Sequence, residues 1–232
     1  MQICISIKKH NMRRLPVYIL VDTSTSMRGE PIEAVKNGIQ SLLDSLCKDP
    51  YALETVCLSI ITYNAHAEQI LPLTEVYNIK LPKIEAKGRS ALGEALELLA
   101  NRVDIEVHKN TPEAKGDWKP LMFLLSDGGY SGPIAKPIAE FKKRKFGVVV
   151  ACAAGIKSHI DVLRKITNNI IQISSTDTTS IKSYFKWISS SISTTSTKIE
   201  VAGAEDSTIN ELPPLPKEIM ILHSTENNKD IK

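Results

Sequence analysis

Val17-Tyr18-Ile19-Leu20-Val21-Asp22-Thr23-Ser24-Thr25-Ser26 is an unbroken apolar run that ends in a carboxylate, with two serine hydroxyls at alternate positions after it. An apolar run of this length, with β-branched residues and no alternation, has the pattern of a strand covered on both faces, as in the middle of a parallel α/β sheet. Asp22, Ser24 and Ser26 then emerge at the strand's carboxyl end, the edge where ligands bind in open α/β sheets. All are oxygen donors, one anionic and two neutral, and hard cations such as Mg²⁺ take such ligands. The same residues also suit a helix start, with a serine as cap and Asp22 favouring the N-terminus; the stretch alone leaves both readings standing.

A second stretch repeats the design. Pro120-Leu121-Met122-Phe123-Leu124-Leu125-Ser126-Asp127-Gly128-Gly129 is another apolar strand ending in Asp, and two such strands side by side bring Asp22 and Asp127 together. Between them Lys87-Gly88-Arg89-Ser90-Ala91-Leu92-Gly93-Glu94 reads as a loop feeding a helix, with Ser90 at the turn. Ser90 serves either as a further hydroxyl donor or as a plain cap for a helix beginning at Ala91.

Asp22-x-Ser24-x-Ser26, Ser90 and Asp127-Gly128 together resemble the metal-ion-dependent adhesion site of von Willebrand factor A domains, whose pattern is Asp-x-Ser-x-Ser, a later Thr and a later Asp-Gly. Ser90 departs from it: the hydroxyl is kept and the methyl that stiffens its rotamer is lost. Within that family, the runs from Met12 to Tyr18 and from Asp22 to Val35, with Leu212-Pro213-Pro214-Leu215-Pro216 near the end, resemble the TerY-type proteins of bacterial tellurium-resistance clusters. The resemblance implies a doubly wound, mostly parallel six-stranded α/β sheet with one antiparallel edge strand, in the order 3-2-1-4-5-6. It also implies a Mg²⁺ (or Mn²⁺ or Ca²⁺) held by Asp22, Ser24, Ser26, Ser90 and Asp127. A protein partner's acidic side chain would complete the shell, within a tellurium-resistance or stress-response system.

The chain has 232 residues, 42% of them apolar, so one α/β domain with extensions is expected. The expected division is an N-terminal extension (1–11), the domain (12–198) and a Pro-containing, loosely ordered C-terminal arm (199–232). A net charge of +3, with dispersed basic residues, does not indicate general nucleic-acid binding. Cys4, Cys47, Cys57 and Cys152 form no close pair or metal spacing, which fits a reduced, cytoplasmic protein. Lys8 and Lys9 follow the first apolar residues instead of preceding them, the reverse of a signal peptide. No stretch reaches the ~20 apolar residues of a membrane helix.

Outward from the first strand, Ile32, Val35, Ile39, Leu42, Leu43 and Leu46 recur at helical spacing after Pro31. Thr55–Thr62 and Ala67–Leu73 read as a hairpin whose loop carries a lone His66. Helices are expected at Ala91–Val103, after Pro133 and ending in Lys142-Lys143-Arg144-Lys145, at Ser158–Thr167 and at Ser180–Ser193; strands are expected at Phe146–Ala153 and Ile170–Ile173. The basic run reads as a solvated last turn, and Leu212 to Pro216 as an extended connector or a polyproline-type ligand.

Two function classes compete. A Mg²⁺-dependent phosphoryl-transfer enzyme of the haloacid-dehalogenase type also places an Asp after its first strand, but needs a second carboxylate two residues on, where Ser24 stands. No Gly-x-x-x-x-Gly-Lys or Gly-x-Gly-x-x-Gly follows a strand. The favoured reading is a non-enzymatic interaction module, monomeric when alone, with Arg28, Lys87 and Arg89 rimming the site and attracting an acidic surface.

Overall fold

The computed structural model describes residues 13–127, 129–155, 160–202 and 211–222. Strand β1 (Leu15–Asp22) is buried along its whole length. Val17, Ile19 and Val21 enter one apolar layer while Tyr18 and Leu20 enter the other, which is why the run has no polar alternation. After a short 3₁₀ turn (Thr25–Met27), α1 (Glu30–Leu46) starts with Pro31 in its first turn and buries Ile32, Val35, Ile39, Leu42, Leu43 and Leu46. Then come α2 (Pro50–Thr55), β2 (Val56–Tyr63), β3 (Ala67–Glu75), α3 (Leu92–Glu106), β4 (Leu121–Ser126) and α4 (Ala135–Phe141). The chain continues through β5 (Val148–Ala154), α5 (Ile160–Ile166), β6 (Ile170–Ile173), α6 (Thr178–Ala202) and β7 (Ile219–Ile221).

The sheet has the order β3-β2-β1-β4-β5-β6-β7. β2, β1, β4, β5 and β6 are parallel, and β3 and β7 pair antiparallel at the two edges. α1 and α6 cover one face, and α3, α4 and α5 the other. The doubly wound expectation holds, with β1 at the switch point. The expected six strands become seven because Ile219–Ile221 adds to β6, so both edges are antiparallel.

The C-terminal region departs furthest from expectation. The helix expected to end at Ser193 runs to Ala202, straight through the Ser/Thr-rich run. Ser190, Ser191, Thr195 and Thr197 each donate to the carbonyl four residues back, so their hydroxyls are satisfied inside the helix. Ser196 pairs with Thr55 at 2.8 Å. The Pro-containing segment lies folded against the domain: Trp187 Nε1 donates to Pro213 O at 3.0 Å, Leu212 is buried and Leu215 packs on the core. These contacts tie down Leu212 and Leu215, while Pro214 stays exposed. The N-terminal extension expected at 1–11 lies outside the described residues. The run Lys142 to Lys145 follows α4 in the turn to β5, where Lys143 pairs with Glu140 and Arg144 with Asp104.

α1 and α6 approach each other at Gly38. A Cβ there would lie 2.3 Å from Phe185 Cδ2 and 2.8 Å from its Cγ, too close for any side-chain contact. Gly38→Ala gains about 1 kcal/mol of helix propensity, whereas overpacking a tight core costs about 1–3 kcal/mol. The clash is against the root of the ring, so overpacking wins. Gly38→Ala is therefore expected to lower the urea midpoint, and an unchanged or raised midpoint would show that the helices slide apart freely.

Candidate functional site

Parallel pairing builds the site. Val21 stands opposite Leu125 on β4 and Asp22 opposite Tyr63 on β2, so the residues that follow leave the sheet at one edge. Tyr63 donates its hydroxyl to Leu125 O at 2.9 Å, fixing the end of β4 beside that of β1 and β2. The segment before α3 crosses this edge and is stitched to it: Lys87 N donates to Thr23 O at 2.8 Å, and Thr25 donates to Gly88 O through its amide (2.9 Å) and hydroxyl (2.8 Å). At the hairpin tip Asn64 O accepts from Ala91 N at 2.8 Å, while Asn64 Nδ2 donates to Thr23 Oγ1 at 3.1 Å. Gly88 has φ +70°, and a Cβ there would fall 2.9 Å from Ala65 Cβ, so only glycine lets the loop lie this close.

The expected residues Asp22, Ser24, Ser26, Ser90 and Asp127 come together in one cup. Asp22 Oδ1 accepts from Ser24 N at 2.8 Å, and its Oδ2 accepts from Ser90 Oγ at 3.0 Å. The hydroxyls of Ser24 and Ser26 lie 2.9 Å apart, and Ser26 Oγ donates to Asp127 Oδ2. Asp127 Oδ1 in turn accepts from Gly129 N at 3.1 Å. Ser131 donates through its amide and hydroxyl to Ser90 O, closing the far wall.

The capping alternatives do not describe these hydroxyls. α3 is preceded by Ala91 as N-cap with no side-chain cap bond, α1 by Gly29, and the 3₁₀ turn by Ser24 without a side-chain cap bond. Ser24, Ser26 and Ser90 are turned to the carboxylates instead. Among the expected rim cations, Arg89 lines the cavity beside the cup, whereas Arg28 and Lys87 are exposed outside its lining, with Arg28 Nε donating to Ala86 O at 3.3 Å. His66 sits 3.5 Å from Glu94 at the hairpin tip, away from the cup's donors. Sequence reasoning missed the stitching residues Thr23, Thr25, Asn64, Gly88 and Ser131. Thr23 and Thr25, interleaved with the cup's residues, were the available clue.

Asp22 is fully buried, and burial followed by the charge of Asp127 pushes its carboxyl up to about 7, against opposing hydrogen bonds from Ser24 and Ser90. Among the described residues no Lys, Arg or His lies within ion-pair distance of either carboxylate. Two uncompensated carboxylates and three hydroxyls form an all-oxygen donor set. That set fits a hard divalent cation and not a thiolate-seeking metal. The described residues hold no cluster of three or more His, Cys, Asp or Glu, so the hydroxyls are an integral part of any such site.

The family described as von Willebrand factor type A domain matches residues 17–187. An uncharacterized protein of Synechocystis sp. is 29% identical over 123 residues, covering 50% of this chain and 26% of its own. A solved structure of proximal thread matrix protein 1 from the mussel byssus, with a zinc-occupied MIDAS motif, is similar at a TM-score of 0.53 and 17% identity, over 76% of this chain and 46% of that one. A von Willebrand factor type A structure from Catenulispora acidiphila is similar at a TM-score of 0.57 and 18% identity, over 78% and 43%. The chain thus spans less than half the length of each of these proteins, and at such identities the structural likeness speaks to fold alone.

The raised carboxyl has a sign. A carboxyl whose folded pKa exceeds its unfolded one lends stability below the unfolded value, near 4, and loses it as pH rises through about 7. In the absence of divalent ions, stability is therefore expected to decline across that window. Asp22→Asn should flatten the decline and raise the neutral-pH melting temperature, at roughly 2–4 °C per kcal/mol recovered. Parallel pH profiles of the two proteins in chelator check this.

Proposed function

The chain belongs to the von Willebrand factor type A domain family, and from that premise we propose that it is a metal-dependent protein-interaction module whose site is the cup formed by Asp22, Ser24, Ser26, Ser90 and Asp127. The observation that carries the reading is the convergence of two uncompensated carboxylates and three hydroxyls at the carboxyl edge of β1 and β4. A bound Mg²⁺, Mn²⁺ or Ca²⁺ supplies a positive centre that still accepts an anionic oxygen. Asp22 and Asp127 offer it charge, and Ser24, Ser26 and Ser90 offer neutral oxygens that leave part of that charge uncancelled. A Glu or Asp carboxylate from a partner protein is the matching ligand. Arg28, Lys87 and Arg89 favour approach of an acidic surface, mostly through association rate.

No catalytic step is proposed. Ser24 stands where a haloacid-dehalogenase-type enzyme needs its acid/base carboxylate, and its hydroxyl lies 2.9 Å from the Ser26 hydroxyl. The bases that reach the cup's hydroxyls are Asp22, which accepts from Ser90, and Asp127, which accepts from Ser26; both are assigned to the ion, which favours contact over chemistry. The likeness of Met12 to Tyr18 and Asp22 to Val35 to TerY-type sequences supports a role in a bacterial tellurium-resistance or stress-response system. The zinc-occupied motif of the mussel byssus protein supports a divalent ion on this fold. Among the described residues no helix is long and apolar enough to cross a membrane, which is compatible with action on a cytoplasmic partner.

An ion bound only by the folded chain stabilises it by about 2.7 kcal/mol at a hundred times its Kd, worth roughly 5–10 °C in a domain of this size. Millimolar Mg²⁺ is expected to produce such a rise in wild type and none in Asp22→Ala. Ser90→Thr should retain the rise and Ser90→Ala should diminish it. A wild-type melting curve that ignores Mg²⁺, Mn²⁺ and Ca²⁺ alike would remove the metal reading.

A further inference from the structure

A cavity of about 410 Å³ opens beside the cup, walled by Ser26, Ser90, Arg89, Gly129, Tyr130 and their neighbours. A hydrated ion fills only a part of it, since four waters occupy roughly 120 Å³ at about 30 Å³ each. The remainder has room for a side chain and its neighbours. Among the residues lining this cavity, Arg89 is the one that carries a charge.

The chain's own nearby carboxylates are otherwise engaged. Glu30 accepts from the amide and hydroxyl of Thr178, Glu85 pairs with Lys83, and Glu94 lies by His66 and accepts from Ala67 N. Among the described residues none is ion-paired to the exposed guanidinium of Arg89. A cation in the cup and the positive charge of Arg89, a residue lining the same cavity, repel each other. An anion that reaches both turns that repulsion into attraction. The guanidinium fork also takes a carboxylate through two hydrogen bonds, with a geometric selectivity that a lysine lacks.

We propose that the cavity receives a protein segment with two neighbouring acidic side chains, one carboxylate for the metal-binding cup and the other for Arg89, which makes Arg89 the residue that selects paired acids over a lone one. The inference rests on the metal-dependent reading above and adds the partner's chemistry. It also separates Arg89 from Arg28 and Lys87, which stand outside the lining and attract acidic surfaces without reading them.

The test uses the full chain, ¹⁵N-labelled, in millimolar Mg²⁺, with Mg²⁺ uptake measured first by calorimetry. Two capped peptides are then titrated by chemical shift, a glycine peptide with one central Glu and one with two adjacent Glu. The paired acid is expected to bind about fivefold tighter, the upper range for a partly exposed ion pair. Arg89→Gln should erase that ratio without lowering Mg²⁺ affinity, because it removes a like charge from the ion's surroundings. Arg89→Lys should restore only part of the ratio. Equal binding of the two peptides to wild type, a ratio that survives Arg89→Gln, or Mg²⁺ uptake without binding of either peptide would each overturn the role of Arg89 while leaving the metal site intact. Failure of Mg²⁺, Mn²⁺ and Ca²⁺ alike to be taken up in the calorimeter would overturn the metal reading before any peptide is added, and the proposal with it.

Discussion

Parallel pairing of β1 with β4 forces two carboxylates out of the same edge of one sheet, and the surrounding structure answers to that constraint. Asp22 is completely buried, its nearest charged companion is another anion, and no basic side chain among the described residues neutralises the pair. Such an arrangement is a stored electrostatic cost. Hydrogen bonds from Ser24, Ser26, Ser90 and the amide of Gly129 offset part of it. The remainder is a standing preference for positive charge.

The donors that offset this cost come from three separate loops, so their mutual positions depend on how those loops are joined. The joints are backbone bonds from Thr23, Thr25, Asn64, Lys87 and Ala91, short and largely independent of side-chain rotamers. The close approach of Gly88 to Ala65 adds the hairpin tip as a third support. The cup is therefore held by main chain in the strands' immediate extension. The adjacent Arg89 and Tyr130 are exposed on the cavity walls and take no part in these backbone joints.

β1 and β4 are legible in the sequence because each is buried on both faces and terminates in a polar residue at the sheet edge. The apolar stripe of α1 is legible for the same reason, since its period matches the surface it covers. α6 is not. A Ser/Thr-rich run has weak intrinsic helix preference, and it persists here through the Ser196–Thr55 contact and the close packing of α6 on Gly38, neither of them a property of the run by itself. β7 has only three residues, of which one is buried, and its identity as a strand comes from the unpaired edge of β6. In the site, Asp22 and Asp127 can be brought together from their two apolar strands, whereas the full set with Ser24, Ser26 and Ser90 comes from the resemblance to the von Willebrand factor A pattern. The stitching by Asn64 and Gly88 comes from neither, because it depends on where a hairpin tip and a crossing loop happen to meet.

β7 runs antiparallel to β6, and Leu222 N donates to Ile170 O at that strand's start. Trp118 N likewise donates to Arg14 O just ahead of β1, so both flanks of the domain meet the sheet at the edge opposite the cup. The described backbone therefore approaches β1 and leaves β7 at the end of the strands away from the cup. The surface around the cup is thus left to the loops that follow β1 and β4 and the loop before α3, with no backbone from either described flank crossing it.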